Sequence, residues 1–143
     1  MEKTAFNKIT KEVFTKYGFL KKKDFYVLKL NDVTIVVKFR SWRGVKSFNY
    51  WFSINQINDC TLPDDKKGDT LIEIKMEHNL SAQGYHRHEI LFEEYTEEEY
   101  REMLTNMLHS YFDVYKENAF KYLRDNDYRM SLTKKAREFL GLI

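Results

Sequence analysis

The chain has 143 residues, of which 43% are hydrophobic, 16% aromatic and 32% charged. This length suits one domain, and the apolar content excludes a chain that is mainly disordered. No apolar run approaches the roughly 18 residues that span a bilayer, and the N-terminus lacks the apolar stretch of a signal peptide. We therefore expect a cytoplasmic protein with no membrane partner. Cys60 is the single cysteine, which excludes an intrachain disulfide and a multi-cysteine metal site.

The net charge of +2 is unevenly distributed along the chain. The first 58 residues carry twelve basic and four acidic side chains, a net charge of +8, whereas the remainder carries twelve basic and eighteen acidic ones, a net charge of −6. A basic half can form a surface for an anionic partner. Alternatively, basic and acidic elements pack side by side and neutralise each other without a partner.

Residues 4–17 predict an amphipathic helix, because apolar side chains recur there at helical spacing with lysines between them. These apolar residues are Ala5, Phe6, Ile9, Val13, Phe14 and Tyr17. Gly18 can adopt the left-handed conformation that follows a helix, and Phe19 is then the usual apolar contact with the last turn. We therefore expect this helix to end at Gly18.

The next segment predicts a β-hairpin with a defined register. If Asn31 and Asp32 form a two-residue turn, one face of the ladder is uniformly apolar. That face pairs Leu30 with Val33, Leu28 with Ile35 and Tyr26 with Val37. The other face is mixed and we expect it to be half exposed. It pairs Lys29 with Thr34, Val27 with Val36 and Phe25 with Lys38.

Three further segments predict strands. Residues 48–55 nearly alternate between apolar and polar, which places Phe48, Tyr50, Phe52 and Ile54 on one face. Residues 72–76 alternate in the same way, and residues 85–92 form a weaker candidate for a fifth strand. The turn-rich, polar residues 58–69 indicate an exposed loop. Because no helix separates these strands, we expect the sheet to be antiparallel.

The rest of the chain predicts two helices. Thr96 and Glu99 have the spacing of a capping box, so a helix starts after Thr96. Helical spacing continues to about Arg124, and Ser131 can cap a last short helix that ends at Gly141. We therefore predict a single α+β domain: an N-terminal helix, an antiparallel sheet of four or five strands, and a long C-terminal helix plus a short terminal helix packed on the sheet.

The first sixty residues carry a series of motifs that resembles a known family. The opening helix ends in Gly18 and Phe19, and the motifs that follow are Lys21-Lys22-Lys23, Phe25-Tyr26, Phe39-Arg40-Ser41-Trp42 and Phe52-Ser53-Ile54-Asn55. Together they resemble a bacterial family catalogued as domain of unknown function 4304. The resemblance implies a small intracellular α+β protein. Some relatives look like immunity or accessory proteins of bacterial toxin systems, and the family supplies no catalytic residues.

A protein-binding surface is the first functional hypothesis. Trp51 lies opposite the apolar face of its strand, and Trp42 adjoins it in a loop with Arg40 and Arg43. Tryptophan and arginine are enriched at the anchor points of interfaces. We therefore predict a non-catalytic domain, of the immunity or accessory type, that binds a protein partner and needs no cofactor. The alternative is that these residues cover the edge of a second small core.

Nucleic-acid binding is the second hypothesis. Basic side chains flank aromatic ones on the predicted sheet, a combination that can hold phosphates and stack bases. The residues concerned are Lys21, Lys22, Lys23, Phe25, Lys38 and Arg40. The simpler interpretation is that the cations only solubilise this face, and no RNA-binding or helix-turn-helix motif supports the sharper one.

A metal-dependent hydrolase is the third hypothesis. On a strand, His86 and His88 would project to the same face, and His78 or Glu73 could supply a third metal ligand. Such a site could activate a bound water for hydrolysis. Two histidines at this spacing often occur by chance, however, and Cys60 has no histidine near it in sequence. We therefore expect binding rather than catalysis, and the sequence leaves the oligomeric state open.

Overall fold

The computed structural model describes residues 1–41, 47–56, 70–77, 89–130 and 132–143. Within these ranges the helices are α1 Lys3–Tyr17, α2 Glu97–Phe112, α3 Ala119–Asp125 and α4 Lys134–Phe139. The strands are β1 Leu20–Lys22, β2 Phe25–Lys29, β3 Val33–Ser41, β4 Ser47–Gln56, β5 Thr70–Lys75 and β6 Glu89–Leu91. The predicted α+β class is confirmed. None of the described helices has both the length and the apolar character needed to cross a membrane.

The predicted end of α1 at Gly18 is confirmed. Gly18 has a φ of +124°, a backbone conformation that residues other than glycine rarely adopt. In this conformation the N–H groups of Gly18 and Phe19 both donate to the carbonyl of Phe14, at 3.2 and 3.0 Å. The Phe19 ring then packs edge-on against Phe14, with centroids 5.1 Å apart. The helix stop therefore also positions the first ring of the core.

We expect Gly18→Ala to lower the free energy of unfolding by about 1–3 kcal/mol. A Cβ at this position would lie 3.5 Å from Leu28 Cδ1, an ordinary contact, so the positive φ and not crowding sets the cost. Urea unfolding measures the change. Thr15→Ala, at an exposed position of the same helix, is the control. Equal stability of the two variants would show that the helix stop does not need glycine.

The predicted hairpin register is confirmed along its whole length. It extends from Leu30, whose N–H donates to the Val33 carbonyl at 2.9 Å, to Phe25, which lies opposite Lys38. Strands β1 to β5 follow chain order across one antiparallel sheet, and β6 pairs with the first residues of β4. The predicted apolar side of β4 does face the core, with Tyr50, Phe52 and Ile54.

The edge strand β1 is not predicted by the sequence pattern. It places Lys21 opposite Tyr26 and Lys22 opposite Phe25. One leucine followed by two lysines is too short for alternation to indicate a strand. All three side chains are exposed, and lysines on an edge strand disfavour pairing with another chain.

The core lies between the sheet and the helices and is rich in aromatic rings. Phe14 of α1 is fully buried at its centre. The ring centroids of Phe6 and of Tyr100 on α2 are 4.9 Å apart, and those of Phe52 on β4 and Phe112 are 5.0 Å apart. These contacts bring both long helices onto the same face of the sheet, as the sequence predicts.

The sequence predicts that the other face of the sheet is half exposed, but much of this face is buried. Its partly exposed residues include Phe25 and Lys38, whereas its centre is buried. The buried residues are Val27, Thr34, Val36, Ser53 and Asn55. Asn55 Nδ2 donates to Ser53 Oγ at 2.9 Å. Short polar side chains that form hydrogen bonds with each other can be buried. An alternating polar pattern in the sequence therefore does not show that these positions are exposed.

The single long helix predicted up to Arg124 is wrong, because the structure has two helices there. α2 ends at Phe112, a short 3₁₀ turn follows, and α3 begins at Ala119. Asn118 caps α3 by accepting a hydrogen bond from the N–H of Lys121 at 3.0 Å. Apolar spacing continues across the break, so periodicity alone cannot locate it.

The terminal helix begins later than the sequence predicts. Thr133 is its cap, since the Thr133 hydroxyl accepts from the N–H of Ala136 at 3.1 Å. Ser131, the predicted cap, lies outside the described residues. The predicted stop at Gly141 is confirmed, with a φ of +76° and the Leu142 N–H donating to the Arg137 carbonyl.

Candidate functional site

The residues of the protein-binding and metal hypotheses are mostly outside the described part of the chain. Those outside it are Trp42, Arg43, His78, His86 and His88. The side chains of Arg40 and Trp51 are not described either, and only their backbone register is known, with Arg40 opposite Asn49 and Trp51 opposite Lys38. These residues therefore stay predictions.

The residues of the nucleic-acid hypothesis do not form one surface. Lys22 and Phe25 are cross-strand partners, and Lys38 lies beside them with its Nζ 6.0 Å from the centroid of the Phe25 ring. Lys21 projects to the other side of the sheet, towards α1. Lys23 lies in the turn after β1, with a φ of 54°. Lys21, Lys22 and Lys23 are adjacent in the sequence, but they lie on two different sides of the sheet and in a turn.

A groove between α1 and α2 is the candidate site. Its volume is about 590 Å³, and its floor is apolar, formed by the buried side chains of Val13 and Leu108. Its rim carries mainly charged and hydrogen-bonding side chains. They are Glu12, Lys16, Tyr17, Arg101, Thr105, His109 and Lys116.

Asp113 organises one end of this groove. Its carboxylate accepts a hydrogen bond from the Tyr17 hydroxyl at 2.6 Å and lies 2.9 Å from Nδ1 of His109. The bond from Tyr17 and then the bond from His109 lower the pKa of Asp113 below its ordinary value of 3.8. Burial and the bond to Asp113 raise the pKa of Tyr17, which keeps its hydroxyl a donor. The arrangement holds His109 by Nδ1 and leaves Nε2 available to a partner.

Two lysines contribute positive charge beside this cluster. The Lys116 ammonium lies 4.0 Å from the centroid of the Tyr17 ring and 3.7 Å from Asp113. Lys16 lines the same groove and has no acidic partner among the described residues. The rim therefore offers fixed cations next to an apolar floor.

Arg101 and Glu12 join the two helices across the groove. Their ion pair has an N–O distance of 2.7 Å, and both side chains are about half exposed, at 50% and 44%. It connects the basic first part of the chain to the acidic second part. Because it pairs an acid of the basic part with a base of the acidic part, it does not neutralise the charge asymmetry of the sequence, and this exposed pair contributes little to stability.

The described part of the groove places a histidine beside an aspartate but no free hydroxyl nucleophile beside that histidine. A histidine held by an aspartate is the arrangement of a general base. A base needs a nucleophile or substrate group beside it, however, and the Thr105 hydroxyl in the groove already donates to the Arg101 carbonyl at 2.8 Å. Among the described residues, no cluster of three or more potential metal ligands is present.

Sequence reasoning missed this site. His109 and Asp113 are four residues apart and so share one helix face, which was the available signal. Their third partner, Tyr17, is 96 residues from Asp113 in the chain, and no periodicity reports such a contact. No family model matches the chain, and neither the curated proteins nor the solved structures compared with it include a significant match.

Proposed function

We propose that this protein is a non-catalytic domain that binds an acidic segment of a protein partner in the groove between α1 and α2. The observation that carries the proposal is an apolar floor bordered by Lys16, Arg101 and Lys116. The cations select carboxylates of the partner, and the half-buried Tyr17 ring beside them offers an apolar contact. His109 adds a further positive charge when it is protonated.

The mixed charges of the rim favour a peptide over a nucleic acid. Glu12 and Asp113 stand among the cations, where they would repel a continuous row of phosphates. A peptide segment places carboxylates at separate positions and can supply an apolar side chain for the Tyr17 ring. An amphipathic helix that docks in a groove has this pattern.

The family resemblance of the first sixty residues supports the same class of function. Relatives that look like immunity or accessory proteins would act by capturing a protein, without chemistry of their own. The proposal accordingly places the protein in the bacterial cytoplasm. The predicted anchors Trp42 and Trp51 could extend the interface but are not needed for the groove to bind.

We expect the double variant Lys16→Glu and Lys116→Glu to bind an acidic peptide about 10-fold more weakly than the wild-type protein. The probe is a fluorescein-labelled helical peptide with leucines on one face and glutamates beside them. Fluorescence anisotropy measures its affinity. Because the substituted side chains are exposed, the folded state should be retained, which circular dichroism checks.

Two controls make this test specific. Lys135→Glu changes the charge at an exposed position of α4, away from the groove, and should bind as the wild type does. A peptide with glutamine in place of glutamate should bind more weakly to the wild type. If the double variant and the glutamine peptide both bind normally, or a single-stranded oligonucleotide binds more tightly than the acidic peptide, the proposal is wrong.

A further inference from the structure

A second cavity lies between α1 and the first three strands, away from the groove. Its volume is about 320 Å³. Phe6 and Thr10 line it from α1, whereas Lys21, Tyr26 and Phe39 line it from the sheet. The register explains this grouping: Lys21 is the cross-strand partner of Tyr26, and cross-strand partners share one face of a sheet. A concave site of about 300 Å³ or more that combines aromatic walls with polar groups can hold a small polar molecule.

The Tyr26 hydroxyl is a hydrogen-bonding group at the wall of this cavity. Tyr26 is only 3% exposed, yet its hydroxyl has no hydrogen-bond partner among the described residues. Burial raises the pKa of Tyr26, so the hydroxyl stays protonated and can donate. The nearby hydroxyl of Thr10 is already engaged, since it donates to the Phe6 carbonyl at 2.7 Å. The hydroxyl oxygen is not fully enclosed, so it is accessible from the cavity, and a ligand with an acceptor group could accept its hydrogen bond.

Two opposite charges border the same cavity. Lys21 lies on β1 and Asp24 in the turn that follows, and both are exposed. Neither forms an ion pair within the described part of the chain. A ligand that carried both an anionic and a cationic group could therefore meet one partner for each. Its apolar part would lie against the rings of Phe6 and Phe39.

We propose that this cavity binds a small zwitterion with an apolar side chain, of the amino acid class. The carboxylate of the ligand pairs with Lys21 and its ammonium group pairs with Asp24. The Tyr26 hydroxyl donates to the ligand, and the apolar side chain packs against Phe6 and Phe39. This site is separate from the helix groove, so its test does not depend on the proposed protein partner.

The experiment titrates the ¹⁵N-labelled protein with L-phenylalanine and with L-leucine and records amide chemical shifts. The expected result is saturable binding of at least one of them, with shift changes confined to α1, the strands β1 to β3 and the turn that contains Asp24. Compared with phenylalanine, phenylpropionate lacks the ammonium group and phenethylamine lacks the carboxylate. Each should bind about 10-fold more weakly than phenylalanine, because each loses one charge-assisted hydrogen bond.

Three variants assign the partners. Asp24→Asn should remove the preference for phenylalanine over phenylpropionate. Lys21→Gln should remove the preference for phenylalanine over phenethylamine. Tyr26→Phe should weaken binding several-fold while the thermal midpoint stays unchanged, because this hydroxyl has no hydrogen-bond partner to lose among the described residues. Absence of saturable binding by both amino acids, equal binding of all analogues, or shift changes centred elsewhere would each overturn the proposal.

Discussion

Phe14→Ala should cost about 3–5 kcal/mol of the free energy of unfolding, the largest effect that we expect from a single substitution in this protein. Phe14 has no solvent exposure and stands where α1 meets the sheet. Its ring centroid lies 4.5 Å from that of Tyr26, 5.1 Å from Phe19, 6.0 Å from Phe39 and 6.2 Å from Tyr50. Truncation would remove contacts with rings from three strands and from the connection between α1 and β1, and it would leave a cavity that a rigid sheet cannot close.

Equilibrium unfolding in urea at pH 7 measures this cost. Phe139→Ala is the matched control, because Phe139 is 46% exposed and packs mainly on the edge of Phe120, 5.5 Å away. We expect that control to lose about 1 kcal/mol or less. Similar losses for the two variants would mean that Phe14 does not stand at the centre of the core.

Tyr100→Phe should lower the free energy of unfolding by about 1–3 kcal/mol although it removes a single oxygen atom. Thr10 donates its only hydroxyl proton to the Phe6 carbonyl, so the bond of 2.6 Å between Thr10 and Tyr100 must be donated by Tyr100. Tyr50 then donates to Tyr100. Removing the middle oxygen would leave the buried Tyr50 hydroxyl without its acceptor and Thr10 without its donor.

The pH dependence of this effect follows from the buried phenol. Burial, and then the neighbouring Tyr50, raise the pKa of Tyr100 well above its ordinary value of 10.0. The pKa of Tyr100 is higher in the folded state than in the unfolded state. The protonated Tyr100 hydroxyl therefore contributes to stability below pH 10, and this contribution is lost as the pH rises further. The stability difference between the wild type and Tyr100→Phe should therefore narrow above pH 10.

Tyr26→Phe is the control for the hydroxyl chain, because it removes the same atom from a buried tyrosine whose hydroxyl has no partner among the described residues. Its stability should stay within about 0.5 kcal/mol of the wild type. Urea unfolding of both variants at pH 7 and above pH 10 makes the comparison. If Tyr100→Phe is no less stable than Tyr26→Phe, the hydroxyl chain contributes nothing to the fold.

Local sequence signals determined most of the fold. Gly18 and Phe19 predicted the end of the first helix, and the Asn31-Asp32 turn predicted a register in which Tyr26 meets Val37. Thr96 predicted the start of α2, where its hydroxyl accepts from the Glu99 N–H at 3.2 Å. These features succeed because a cap, a turn or a strand alternation involves residues close in sequence, whose preferences do not depend on the rest of the fold.

The tertiary structure determined where the two candidate binding sites form. Tyr17 meets Asp113 across 96 residues, and the groove they share exists only because α1 and α2 pack side by side. Likewise, Lys21 belongs with the Tyr26 cavity, and not with Lys22, because the edge strand turns neighbouring side chains to opposite faces. Periodicity reports which side of an element is buried, whereas a site depends on which distant surfaces meet, and that is set by packing alone.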